Sequence, residues 1–403
     1  HGYYETTETS IGIAGVAGLK NYYEAQGADV LLLDAGDFSQ GSTLVSYYKG
    51  KNAAEYMAAA GYDAVSMGNH EFDYSFDALL DNMKVLTDAG VKVIDANVIN
   101  KETVKSYFDA NAVFEFDGIK VGVFGLDTSE TLTKASPSNV KAVNFLDKEE
   151  MFKEAQAQVD KLKSAGCDYI IALTHLGVDE ESVGRRSTDL AAAVKGIDLI
   201  VDGHSHTVID GGEKVGDTVI VSTGSYLANV GTVVIDKEAK TEEAKLISAA
   251  DYAAGTAQYD ETVKALVAED VAEVAEAYSK VFAKTEVHLE GTKQIVRSQE
   301  TNLGDFTADA YLYTAQKYAD EHELGVNVDC AISNGGGIRV SVEPGDISMD
   351  TLVTIFPFGN NVCLVTITGE QLLEVLEAST FCTPETIGGF PQVAGIEYKL
   401  DVS

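Results

Sequence analysis

Between residues 30 and 222 the sequence repeats one pattern: a short, apolar, β-branched-rich run that ends in a polar cluster containing glycine. Segments 30–34, 64–67, 91–94, 120–124, 169–173, 199–202 and 219–222 read as buried strands, because apolar runs of this length suit a sheet covered on both faces. Helical patterns, for example 52–60 and 150–165, lie between several of them. Alternation of this kind predicts a layered α/β domain. The polar clusters fall just after the strands, the position at which α/β sheets build their sites.

At 403 residues the chain is long for a single core, so two or three domains are expected. Residues 259–283 form an Ala- and Glu-rich stretch without Gly or Pro that reads as a connecting helix. A second domain follows, mixing a helix at 303–319 with strands at 328–332 and 362–367. The expected division is a catalytic domain over 1–255, a linker helix over 256–284 and a smaller α+β domain over 285–403. No run approaches the roughly 20 apolar residues of a membrane-spanning helix. The chain holds 29 basic and 64 acidic residues, a net charge of −35. Such a surface repels nucleic acid polymers and anionic lipid, so an anionic substrate needs a locally positive site. The four cysteines are scattered and form no metal-binding pair.

Five of the seven histidines lie in the polar clusters. Gly36-Asp37 follows the first strand, Gly68-Asn69-His70-Glu71-Phe72-Asp73 the second, Thr174-His175 a later one, and Gly203-His204-Ser205-His206 another. His1 is the fifth. Imidazole nitrogen combined with carboxylate and amide oxygen suits zinc, manganese or iron, and no thiolate is offered. His204 and His206 share a face if their segment is extended, and fork towards two ions if it turns.

The ordered motifs GD, GNHEFD, TH and GHSH resemble the calcineurin-like metallophosphoesterases, and within them the 5′-nucleotidase family of UDP-sugar hydrolases and ecto-5′-nucleotidases. The resemblance implies a layered β-sandwich flanked by helices, joined by a helix to a smaller α+β nucleotide-binding domain. It implies two divalent ions, Zn, Mn or similar: His1, Asp37 and His206 on one, and Asp37, Asn69, His175 and His204 on the other. His70 and Asp73 match the family's catalytic dyad. The family's first motif is D-x-H; its aspartate and the strand carrying it are expected to precede His1 in the full-length protein.

The later segments resemble the family's C-terminal domain. Gln294 to Asp305, Ser333-Asn334-Gly335-Gly336-Gly337-Ile338-Arg339 and Phe356-Pro357-Phe358-Gly359-Asn360 carry the likeness. Three consecutive glycines make a turn whose amides could cradle an anion, and Arg339 offers a planar fork for phosphate. The resemblance implies that Arg297 and Arg339 hold phosphate or ribose. It puts Asn334, Gly336 and Asn360 at the nucleoside and Phe358 against the base.

The expected function is release of phosphate from nucleoside 5′-monophosphates and related nucleotides by hydroxide attack on phosphorus. Cyclic 2′,3′-phosphodiesterase, 3′-nucleotidase or UDP-sugar pyrophosphate hydrolysis on the same scaffold are the alternatives, and an inactive surface-binding relative is more remote. The family implies a secreted, periplasmic or cell-surface location. Nothing in the sequence addresses the oligomeric state.

Overall fold

The computed structural model describes residues 1–235, 242–358 and 360–401. It divides into two compact units, His1–Ala272 and Glu273–Ser403. No helix among the described residues is long and apolar enough to cross a membrane.

In the first unit the strands are, in chain order, β1 (Leu33–Asp34), β2 (Ala64–Val65), β3 (Lys92–Val93), β4 (Val98–Asn100), β5 (Asn111–Phe116), β6 (Ile119–Asp127), β7 (Val143–Phe145), β8 (Tyr169–His175), β9 (Leu199–Asp202), β10 (Val208–Val215), β11 (Thr218–Thr223), β12 (Asn229–Ile235) and β13 (Glu242–Ser248). Strands β1, β2 and β3 form a parallel sheet. A second sheet has the order β10-β11-β9-β8-β6-β5, parallel across its centre and antiparallel at both edges.

The period-two alternation of β6, β8 and β9 explains the layering. Val121, Val123, Ile171, Leu173 and Leu199 point to one face and pack with Ala64 and Ile94 and with Leu31, Leu33 and Ala35, so the two sheets meet face to face. Phe124, Leu126, Ile170, Ala172 and Ile200 point to the other face. There they are covered by Met151, Ala155, Val159 and Leu162 of helix Lys148–Ser164 and by Leu190 and Ala191 of helix Ser187–Ala193. The helix Gly12–Ala25 packs Ile13, Val16 and Leu19 inward, and Leu19 meets Tyr252 beside the β12–β13 hairpin. This is the layered α/β sandwich flanked by helices that the sequence led us to expect.

The register sets where function can sit. Asp127 lies opposite His175, and Thr174 opposite Asp202, so β6, β8 and β9 end at one edge of their sheet. Asp34 pairs with Val65 at the ends of β1 and β2. Each polar cluster of the sequence leaves from one of these strand ends.

In the second unit, β14 (Val281–Thr285) pairs antiparallel with β16 (Gly345–Ser348), and β15 (Ala331–Asn334) pairs antiparallel with β17 (Pro391–Ala394). Helix Asn302–Glu321 supplies Leu303 to a core shared with Val296, Ile338, Val342 and Ile355. Two expectations fail here. The connecting helix ends at Tyr278, and 281–285 is a strand, because Val281 and Phe282 favour extended backbone and β16 offers an edge to pair with. The strand expected at 362–367 does not form: Val362, Leu364, Val365 and Ile367 are exposed, and no strand among the described residues pairs with them. An apolar run specifies a strand only where a neighbour satisfies its backbone.

Gly125 of β6 shows how tightly the sandwich closes. A Cβ there would lie 2.1 Å from the Ile94 carbonyl oxygen and 2.7 Å from its carbon, both backbone atoms. Gly125→Ala is therefore expected to lower the unfolding free energy by about 1–3 kcal/mol, the usual effect of overpacking, read as a fall in the urea midpoint at unchanged m. An unchanged midpoint would show that the chain at Ile94 yields freely.

Candidate metal centre

Asp37 stands at the middle of the site. It follows β1 on a turn with φ +65°, is 3 % exposed, and is pinned by its own backbone and its neighbours'. Its Oδ1 accepts the His70 N–H at 2.9 Å, and its Oδ2 lies 3.1 Å from His175 Nε2. That last pair is close but not aligned as a hydrogen bond, since His175 Nε2 has no hydrogen-bond partner. His175 ends β8 and directs Nδ1 at the Ala35 carbonyl, 2.7 Å away. Nδ1 therefore carries a proton, and Nε2 is the ring nitrogen turned to Asp37.

The loop after β2 contributes two neighbours. Asn69 is buried with Oδ1 unpartnered. His70 holds Asp73 Oδ2 through Nδ1 at 2.6 Å. His1, Asp37 and His70 each offer one ligand atom within 4.8 Å of the others, and His1 Nδ1 is buried with no hydrogen-bond partner.

The GHSH segment turns rather than extends: His204 has φ +71° and His206 has φ +59°. The two imidazoles fork. The ring of His204 lies 5.1 Å from that of His175, and the ring of His206 lies 4.6 Å from that of His1. The histidines named from the sequence thus gather in two groups around Asp37, His175 with His204 and His1 with His206, with the His70–Asp73 pair beside the His1 group.

Electrostatics follow from burial and from Asp37. Burial alone would raise the Asp37 carboxyl, yet His175 and His70 hold it well below the usual carboxylate range. Burial opposes protonation of His175, but Asp37 lifts it to about 9. Burial likewise opposes protonation of His70, while Asp37 and the hydrogen-bonded Asp73 raise it overall. Burial lowers His204, and pushes His206 down to about 4, so both imidazoles offer lone pairs at neutral pH. Three buried side-chain atoms without a hydrogen-bond partner, His1 Nδ1, Asn69 Oδ1 and His175 Nε2, belong to a nitrogen and oxygen set without thiolate. Buried polar atoms seldom lack a partner, and this donor set fits divalent ions.

Two carboxylates that the sequence reading passed over hold the loops. Glu71, inside the GNHEFD motif, is 2 % exposed. Its Oε2 accepts the N–H of Asp37 and of Gly68, both at 2.7 Å, and its Oε1 accepts Ser39 N–H and Oγ–H at 3.0 Å. Burial and Asp37 push its pKa up to about 7 against the pull of those amides. Asp202 Oδ1 accepts Thr174 Oγ–H at 2.8 Å and the N–H of Leu176 and Gly177, tying the loops after β8 and β9. The only signal for Glu71 in the sequence was an acidic residue lodged among ligand candidates.

In the second unit, described by itself, Arg339 sets its guanidinium 5.4 Å from the Phe358 ring centroid and donates through Nη1 to the Gly336 carbonyl at 3.4 Å. Asn334 and Asn360 are exposed, with Asn334 Nδ2 reaching the Gly388 carbonyl at 3.4 Å and Asn360 N–H the Phe358 carbonyl at 2.8 Å. Arg297 follows the short helix Lys293–Val296, and its carbonyl accepts the Ile387 N–H. One expectation is corrected. The amides of Gly335 and Gly336 already donate to the carbonyls of Phe390 and Gly388 at 2.8 Å, so these two are not turned to an anion.

Two family profiles match the chain, one over each part. Residues 281–403 match the profile of the 5′-nucleotidase C-terminal domain, and residues 31–230 match that of a bacterial capsule synthesis protein. The chain is 33% identical to a trifunctional nucleotide phosphoesterase of Bacillus subtilis over 93% of its own length, although it spans only 27% of that protein. It is 30% identical to the snake venom 5′-nucleotidase of Crotalus adamanteus, covering 97% of this chain and 69% of that one. A 5′-nucleotidase precursor from Thermus thermophilus superposes with a TM-score of 0.72 at 29% identity, over 95% of this chain and 75% of that structure.

Glu71→Gln tests the clamp. An amide must turn its NH₂ towards N–H groups on one side, so stability is expected to fall by about 1–3 kcal/mol, with divalent-ion content below that of wild type. Unchanged stability together with unchanged ion content would remove Glu71 from this role.

Proposed function

The chain belongs to the 5′-nucleotidase family of nucleotide phosphoesterases, with a calcineurin-like fold, and we propose that it is a two-metal hydrolase releasing phosphate from nucleoside 5′-monophosphates and related nucleotides. The observation that carries this reading is that His175 Nε2, without a hydrogen-bond partner, stands 3.1 Å from Asp37 Oδ2, while His1, itself grouped with Asp37, and Asn69 each bury an unpartnered ligand atom. Calcineurin-like phosphoesterases use divalent metals as a family. We assign His1, Asp37 and His206 to one ion and Asp37, Asn69, His175 and His204 to the other.

Divalent ions at this place supply a Lewis acid for phosphate oxygens and lower the pKa of water towards neutrality. The protein's own groups do the rest. Asp37, at the centre of both groups, keeps them close together. Asp73 holds the Nδ1 proton of His70, leaving Nε2–H to donate to the phosphate or to the departing ribose oxygen. Because Asp73 and Asp37 raise the His70 pKa, the imidazolium persists to higher pH than an ordinary histidine allows.

We assign catalysis to residues 1–255 and nucleoside recognition to 285–403, with 256–284 joining them in the chain. In the latter, Arg339 and Arg297 are the groups for phosphate or ribose, Phe358 stacks on the base, and Asn334, Gly336 and Asn360 contact the nucleoside. The venom relative supports a secreted or cell-surface location. The name of the Bacillus relative favours action on more than one nucleotide ester. A panel of AMP, 3′-AMP, cyclic 2′,3′-AMP and UDP-glucose, each with and without EDTA, tests the reading. EDTA-sensitive phosphate release from AMP supports it; turnover of none of the four overturns it.

His70→Ala is expected to retain the ions and lose about 10²–10⁴-fold in kcat. Its companion Asp73→Asn lowers the His70 pKa. Activity that needs the protonated form is lost as pH rises through that pKa, so the alkaline limb should move to lower pH. A limb that stays in place removes the dyad assignment. Phe358→Ala is expected to raise KM for AMP by about tenfold, or about 1.4 kcal/mol of lost stacking, while hardly changing KM for an aryl phosphate without a base. Equal losses on both substrates would remove the stacking role.

A further inference from the structure

Glu130, which none of the motifs contains, sits against the back of His204. Its Oε2 lies 3.1 Å from His204 Nε2 and 3.0 Å from Lys134 Nζ. Its Oε1 accepts Ser182 Oγ–H at 2.8 Å and faces Arg185 Nη1 at 3.4 Å. Arg185 is itself fixed, donating through Nε and Nη2 to the two oxygens of Asp147 at 3.0 Å each, and Ser129 Oγ–H adds a third contact to that carboxylate at 2.7 Å. The side chains of Glu130 and His204 are 11% and 8% exposed, so the carboxylate is locked within a polar strap from the end of β6 and the 182–185 turn.

We infer that Glu130 is a positioning residue: it accepts a hydrogen bond from Nε2–H of His204, fixing the tautomer and ring orientation that leave Nδ1 as the ion-binding nitrogen. The chemistry is direct. Lys134 Nζ lies 3.4 Å from the same Nε2, but it is closer to Glu130 Oε2, at 3.0 Å, and the carboxylate is the nearer neighbour of the ring. A carboxylate accepts but does not donate, so Nε2 carries the proton and the other nitrogen keeps the lone pair. Such a partner orients a metal-bound histidine and raises its basicity, and its removal typically weakens the metal about 10–100-fold. The backbone of His204 is in the left-handed region at φ +71°, a conformation that persists only where surroundings enforce it. The inference rests on the two-ion reading of the site and adds to it a residue that touches neither substrate nor ion.

The test uses the metal-stripped chain titrated with Zn²⁺ by calorimetry, with thermal unfolding of each stripped variant as the folding control. Wild type is expected to bind two ions. Glu130→Ala should weaken one of them about 10–100-fold and leave the other unchanged, while Glu130→Gln, whose amide oxygen can still accept the Nε2 proton, should lose less. Ring ¹⁵N correlations of His204 should show the Nε2–H tautomer in wild type and a mixture in the Ala variant. Should the Ala variant fail to fold, the Gln variant and the tautomer spectrum carry the test. Two unchanged affinities in a folded Ala variant, equal weakening of both ions, or an Nδ1–H tautomer in wild type would each overturn the role of Glu130 while leaving the two-ion reading intact. A wild-type chain that binds no ion overturns both.

Discussion

A single buried carboxylate organises the site. Glu71 gathers the amides of Asp37, Ser39 and Gly68 onto its two oxygens and so welds the loop after β1 to the loop after β2. Those loops present Asp37, Asn69 and His70. Without an acceptor at this point, three buried N–H groups would lack partners and the loops would have no common anchor. The close approach this demands explains Gly68: a Cβ there would lie 2.4 Å from Asp37 Oδ1 and 2.8 Å from His175 Cε1.

Around that weld, three of the histidines are turned by an acceptor behind them. The Ala35 carbonyl holds Nδ1 of His175, Asp73 holds Nδ1 of His70, and Glu130 lies at Nε2 of His204. The acceptors come from three different places in the chain, yet each leaves one nitrogen of its ring available. A common principle is at work, in which an imidazole's role is set by the partner of its other nitrogen. The sandwich supplies the precision, because β6, β8 and β9 end in register at one sheet edge. Their cores, Val123, Ile171 and Leu173 on one face and Phe124, Leu126 and Ala172 on the other, leave those ends little freedom.

The second unit is built on different physics. Its candidate binding residues lie at the ends of strands and helices and in the loops after them, with the Arg339 guanidinium over the Phe358 ring. The turn Gly335–Gly337 is closed by backbone bonds to 388 and 390 rather than left open. Its glycines answer a need for close packing: a Cβ on Gly335 would sit 2.1 Å from the Val296 carbonyl.

The sequence by itself determined the layered α/β class and the strands bearing the site, because apolar runs at period two and helical patterns between them are local signals. It also singled out the candidate side chains for the chemistry, since Asp37, Asn69, His70, His175, His204 and His206 stand next to strand ends with glycine beside them. Only the tertiary structure decided how they divide. That His204 turns to His175 and His206 to His1 depends on two left-handed residues that no local preference for histidine dictates. The roles of Glu71 and Glu130 were equally hidden, because a carboxylate in sequence does not reveal whether it meets water, a cation or amides from a loop more than thirty residues away. Residues 281–285 and 362–367 make the same point in reverse. Both are apolar and β-branched, yet one found a strand edge and the other did not, and pairing is a property of the folded neighbour rather than of the segment.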